Sequence, residues 1–237
     1  MHARNGTIID AKSLAAKSWF GYGRWDAPYW FIGMEPGGDD THASYEAWLD
    51  LGGGELIDCR AHHQWQVETL GIDDPKWTKY HRTAPPNALQ ATWRPLILLL
   101  LAYKGEPCGR DDVREYQRDR WGMVDGETAV IELNALHAPS IATQGVEREK
   151  YRPARIRRIA ERLADNPPDF AVFYGIQYKD YYEEIAGLAF DADGFGIRGG
   201  TVCALVPQPA RAGKTNEWWI ELGRKIRSRI ESATGRP

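Results

Sequence analysis

The sequence predicts an α/β protein, a three-layer α/β/α sandwich around a central, mainly parallel four-stranded sheet. Three observations lead there. Four short β-rich apolar runs, Tyr29 to Gly33, Ala129 to Asn134, Asp169 to Gly175 and Thr201 to Val206, each end at a polar residue, a glycine or a proline. Segments with helical spacing lie between them, so that from Ala129 onward the chain reads β-α-β-α-β-α. The strands are apolar on both faces, the pattern of a parallel sheet covered by helices on each side.

The first run, Tyr29-Trp-Phe-Ile-Gly33, stops abruptly and is followed by Met34-Glu-Pro-Gly-Gly-Asp-Asp40. A strand that ends in glycines and a proline leaves backbone N–H groups unpaired and lets a ligand approach closely, and Glu35 adds a carboxylate there. In an open α/β sheet, ligands bind at that edge. From Gly52 to Pro86, glycines, prolines, histidines and tryptophans interrupt every period, so this segment is expected to be an irregular excursion near the ligand edge. Helices are expected over Ala91 to Tyr103, Pro153 to Ala164, Tyr178 to Gly187 and Asn216 to Ile230. There is no internal repeat or low-complexity linker, and residues 1–237 are expected to form one domain.

Composition narrows the class. Charged residues make up 27% of the chain and leave a net charge of −3, so any contact with nucleic acid must be local. No apolar run has the length of a membrane span, and Met1-His-Ala-Arg-Asn-Gly6 lacks a signal-peptide core; a cytoplasmic location without membrane contact is expected. The three cysteines, Cys59, Cys108 and Cys203, are too few and too scattered for a zinc ribbon or an iron–sulfur cluster. The cluster Cys59-Arg-Ala-His-His63 has no recognised metal spacing, and no metal site is expected.

The chemistry-bearing residues fall at strand ends. Asn134 closes Val130-Ile-Glu-Leu-Asn134, and its carboxamide offers both a donor and an acceptor to an amide-like edge; the alternative is a turn residue. Gly33 to Gly38 either cradles a ligand or makes a tight strand-to-helix turn capped by Glu35. Val206-Pro-Gln-Pro-Ala-Arg211 is a strand end stiffened by two prolines.

Taken in this order, the three pieces resemble the motifs of the uracil-DNA glycosylase superfamily. Its first motif is a strand followed by glycine, two variable residues, proline and usually a second glycine, which Gly33-Met-Glu-Pro-Gly37 matches. Glu35 stands where several branches carry the Asp or Asn that positions the attacking water. Asn134, in Leu133-Asn-Ala-Leu136, resembles the asparagine that reads the Watson–Crick edge of an extruded base. The last motif, histidine-proline-serine-proline in the family, reads Val206-Pro-Gln-Pro209 here, followed by Ala210 and Arg211.

The resemblance implies base excision from DNA, single- or double-stranded, with a damaged or deaminated base rotated out of the helix, and no cofactor. Glu35 would be catalytic, while Gly33, Met34, Gly37 and Asn134 would hold the base. Tyr45 and Trp48 would stack on it or else pack a helix. Gln208, Ala210, Arg211 and Lys214 would touch or wedge the DNA, with a solvated Arg211 as the alternative. Two departures stand out. Val206 replaces the histidine that stabilises the leaving base, and losing such a donor costs about 10²–10³ in rate. His137 and His42 are the candidate replacements. Glu35 is also longer than the usual Asp or Asn. The alternative is a non-hydrolytic member of the same fold that binds a nucleic acid, a nucleotide or another ligand.

Two further signals have competing readings. Arg155, Arg158 and Arg162 lie near one face of a helix and either contact phosphates or form a solvated face. Gln208-Pro-Ala-Arg-Ala-Gly-Lys-Thr215 ends like a P-loop, but Gln208 replaces the motif's first glycine.

Overall fold

The computed structural model describes residues 4–34, 42–70, 89–136 and 146–235. Its strands are β1 (Gly21–Tyr22), β2 (Tyr29–Gly33), β3 (Leu56–Ile57), β4 (Thr128–Glu132), β5 (Phe170–Tyr174), β6 (Phe195–Arg198) and β7 (Thr201–Val206). Its helices are α1 (Arg4–Ser18), α2 (His42–Asp50), α3 (Cys59–Leu70), α4 (Trp93–Lys104), α5 (Arg110–Asp119), α6 (Val146–Asp165), α7 (Lys179–Ala186) and α8 (Asn216–Thr234).

The strands join in one mixed sheet of order β3-β1-β4-β2-β5-β7-β6. The expected four-stranded sheet is thus corrected to seven strands among the described residues. The four runs legible in the sequence are its centre, β4-β2-β5-β7, and each neighbouring pair is parallel. The strands missed are the outer ones. β1 and β3 have two residues each, too few to show a period, and pair parallel with each other while β1 runs antiparallel to β4. β6 runs antiparallel to β7, half exposed at the edge.

Helices cover both faces, as the apolar-on-both-sides strands require. On one face Phe31, Val130, Val172, Ala204 and Val206 pack against Leu96 to Leu101 of α4, Val113 of α5, and Trp219 and Ile226 of α8. On the other, Trp30, Ile32, Ile131, Phe173 and Cys203 meet Ile156, Ile159 and Leu163 of α6 and Tyr182 and Ile185 of α7. A third cluster joins α1 and α2 through Ala15, Trp19, Tyr45 and Trp48.

Two local expectations change. The segment expected to be irregular contains β3 and α3; residues 71–86 lie outside the described part. The start of α3 has a physical cause: Asp58 Oδ1 accepts the Ala61 N–H at 2.8 Å, an N-cap bond. α6 begins at Val146 and runs through Pro153 instead of starting there. Proline removes one backbone donor, and Pro153 lies exposed, where water can take the carbonyl left over. No helix among the described residues is long and apolar enough to cross a membrane.

β2 sits between β4 and β5, so the chain moves to one side of it and then to the other. The carboxyl ends of β4, β2 and β5 therefore flank a topological switch point, where open α/β sheets place ligands.

Candidate functional site

Strand register sets the site's first row. Gly33 is paired with Glu132, and Tyr174 with Val206, so Glu132, Gly33, Tyr174 and Val206 lie side by side at the ends of β4, β2, β5 and β7. The Tyr174 ring fills the space over Gly33: a Cβ there would come 2.2 Å from the ring's Cζ. Its Oη donates to Glu132 Oε1 at 3.0 Å, and its own carbonyl accepts from Tyr182 Oη at 3.0 Å. Burial, and next the charge of Glu132, push the Tyr174 hydroxyl well above its usual range. It stays a protonated donor at neutral pH.

One step beyond the row, the backbone of β4 continues to pair with that of β2. Leu133 N donates to Gly33 O at 2.8 Å and Asn134 N to Met34 O at 2.7 Å. Asn134 is held from behind by Ala135 and Leu136, buried against α1 and α2. Only 3% of Asn134 is exposed, and its Nδ2 lies 3.2 Å from Met34 Sδ. A thioether is a weak acceptor, so this bond is readily exchanged for one to a ligand carbonyl. The structure thus brings Gly33, Met34 and Asn134 together at the switch point.

The remaining residues fall elsewhere. Glu35, Gly37 and His137 lie outside the described residues, as does the side chain of His42, which opens α2. Tyr45 and Trp48 are buried in the α1–α2 packing. The Trp48 ring stacks on Trp19 at 6.4 Å, and its Nε1 donates to Gly54 O at 2.8 Å, so both rings are committed to protein contacts. Val206 is 2% exposed and points into the core. Beyond it Gln208 is half-buried, while Ala210, Arg211 and Lys214 are exposed. Thr215 caps α8 by accepting the Trp218 N–H at 3.3 Å, which accounts for the threonine of the P-loop-like run.

The arginine face of α6 is bound to the rest of the protein, with Arg155 buried and Arg158 and Arg162 only partly exposed. Arg155 is 1% exposed and donates to four backbone carbonyls, those of Ala16, Trp19, Glu132 and Leu133, at 2.6–3.3 Å. Burial lowers its pKa to about 9, with the charge of Glu132 opposing, so it remains charged at neutral pH. Arg158 and Arg162 both grip Glu55, at 2.7 and 2.6 Å. These arginines tie α6 to the end of β4 and to the chain entering β3.

Sequence reading missed Glu132 and Tyr174. The available signal was the charge of Glu132 between Ile131 and Leu133, in a run otherwise apolar on both faces. Among the described residues no three His, Cys, Asp or Glu side chains are grouped to hold a metal ion. His63 Nδ1 instead lies 2.7 Å from Cys59 O, one helical turn earlier.

No model of a known protein family matches the chain, and no characterised protein does.

Proposed function

We propose that the carboxyl edge of β2, β4 and β5 holds a nucleobase rotated out of a DNA strand, and that the chain is a divergent, uracil-DNA-glycosylase-like base-excision protein. The observation that carries this reading is Asn134. It is buried two residues past the end of β4 on the switch point, its backbone N–H bonded to the Met34 carbonyl and its Nδ2 to the Met34 thioether. A carboxamide so fixed suits the alternating donor and acceptor edge of a base.

In the proposed reaction water adds to the anomeric carbon of the sugar as the bond to the base nitrogen breaks. The bonding pair leaves with the base, and the water's proton passes to Glu35 or to solvent. Glu35, two residues after the end of β2 in the sequence, orients that water and stabilises the cationic sugar. Backbone N–H groups from Met34 to Gly38 help hold the substrate.

A non-hydrolytic base-binding role is favoured by one observation: Val206, at the place of the family's histidine, is packed in the core and has no donor to offer a departing base. The two readings separate in a base-release assay on single- and double-stranded oligonucleotides carrying uracil or hypoxanthine, scored as alkali-labile abasic sites. Hydrolysis predicts release that disappears in Glu35→Ala. A folded wild-type protein that releases neither base contradicts hydrolysis of these substrates and favours a binding role or a different substrate.

A further inference from the structure

A cavity of about 370 Å³ opens at the outer edge of the sheet, where β6 stops short of the end of β7. Leu205 N donates to Gly194 O at 2.7 Å, and there Gly194 turns away with φ +81°, a conformation that a side chain would meet Leu205 O in adopting. Beyond that bond Val206 and Pro207 border the cavity. Its floor is apolar, with Phe190, Phe195 and Leu222, and Trp218 of α8 forms a wall. Lys179 and Lys214 reach it from either side of the sheet end.

The charges around it do not cancel. The acidic side is satisfied from within the protein: Asp191 Oδ1 accepts the Asp193 and Phe195 N–H groups, and Asp193 is bridged by Lys225 at 3.3 Å and Arg229 at 3.7 Å. Lys179 meets Glu183 at 3.5 Å, an exposed pair of little strength. Lys214 has no carboxylate partner among the described residues; its Nζ lies 5.1 Å from the centre of the Trp218 ring. The charge left over is cationic and sits beside an aromatic face.

We propose that this cavity is a second ligand site and that it takes an aromatic ring bearing a phosphate, the chemistry of one nucleotide. The ring stacks on Trp218 over the apolar floor, and Lys214 exchanges its contact with that ring for the phosphate, joined by Lys179. Lysines act here as point charges, which suits a phosphate that needs no planar fork. The volume is near the lower end for small-ligand sites, so it admits one nucleotide. The site lies three strands across from Asn134, about 14 Å at the usual strand spacing, and does not rest on the reading of the crevice. The same chemistry has two sources, a free nucleotide or a nucleotide within a single strand.

The test titrates the full chain with adenosine monophosphate by calorimetry, with a fluorescein-labelled hexathymidylate by anisotropy, and with inorganic phosphate alone. Lys214→Glu and Trp218→Ala are run in parallel, each checked for folding by circular dichroism. Binding of either nucleotide probe that falls roughly fivefold or more in both Lys214→Glu and Trp218→Ala supports the site. Tight binding of the monophosphate identifies a free nucleotide as the source; binding of the strand alone identifies the strand. The proposal is overturned if neither nucleotide probe binds, if Lys214→Glu leaves binding unchanged, or if inorganic phosphate binds as tightly as the nucleotide.

Discussion

Gly33 shows how one residue serves fold and site together. It lies at the end of β2 without a side chain because the Tyr174 ring occupies that space on its way to Glu132. Gly33→Ala would force ring and strand apart, and overpacking of this kind costs about 1–3 kcal/mol. Urea unfolding would measure it; a change within about 0.5 kcal/mol of zero, the range of neutral surface substitutions, would mean that the ring moves freely. Over Gly33 the sheet end is filled by the Tyr174 ring, and Met34 and Asn134 follow one step beyond it.

Among elements, α6 does the most to set the site, because Arg155 fastens the carbonyls of Glu132 and Leu133 immediately before Asn134. Its outer arginines make a pH-sensitive clamp. Desolvation raises the Glu55 pKa, but hydrogen bonds from Arg158 and Arg162 outweigh it and hold the group below its ordinary 4.5. A carboxylate depressed in the folded state contributes stability above its unfolded pKa and loses it as pH falls through the folded one. Glu55→Gln is therefore expected to lower stability at pH 7, with the difference from wild type shrinking as pH falls below 4.5. Urea midpoints from pH 7 to pH 3 would show it, and a constant difference would remove the clamp from the account.

Elements also explain what the sequence disclosed. β2, β4, β5 and β7 are buried on both faces, so their apolar runs are continuous and easily seen. β1 and β3 exist through pairing with each other and with β4, which no local pattern announces. Gly33 ends β2, and Asn134 stands two residues past the end of β4, where the apolar run read from the sequence stops, so both are legible as breaks in such runs. The role of Arg155 is hidden because two of its carbonyl partners lie more than a hundred residues away.

At the scale of the whole molecule, a net charge of −3 gives no general attraction for nucleic acid, so the proposed recognition depends on placed groups. The groups proposed for it lie along the carboxyl edge of the sheet: Asn134 over the switch point, and Lys214 with Trp218 beyond β7. The central claim, that Asn134 reads an extruded base, is tested most directly by the affinity of the folded protein for a single-stranded oligonucleotide with one deoxyuridine. The reference strand is identical but carries deoxycytidine, whose Watson–Crick edge exchanges the donor and acceptor that a carboxamide reads, and Asn134→Ala is measured alongside. The account predicts a preference for the deoxyuridine strand in the wild type and loss of that preference, with general affinity kept, in the variant. Equal affinity for both strands in the wild type, or a preference that survives in Asn134→Ala, would contradict it.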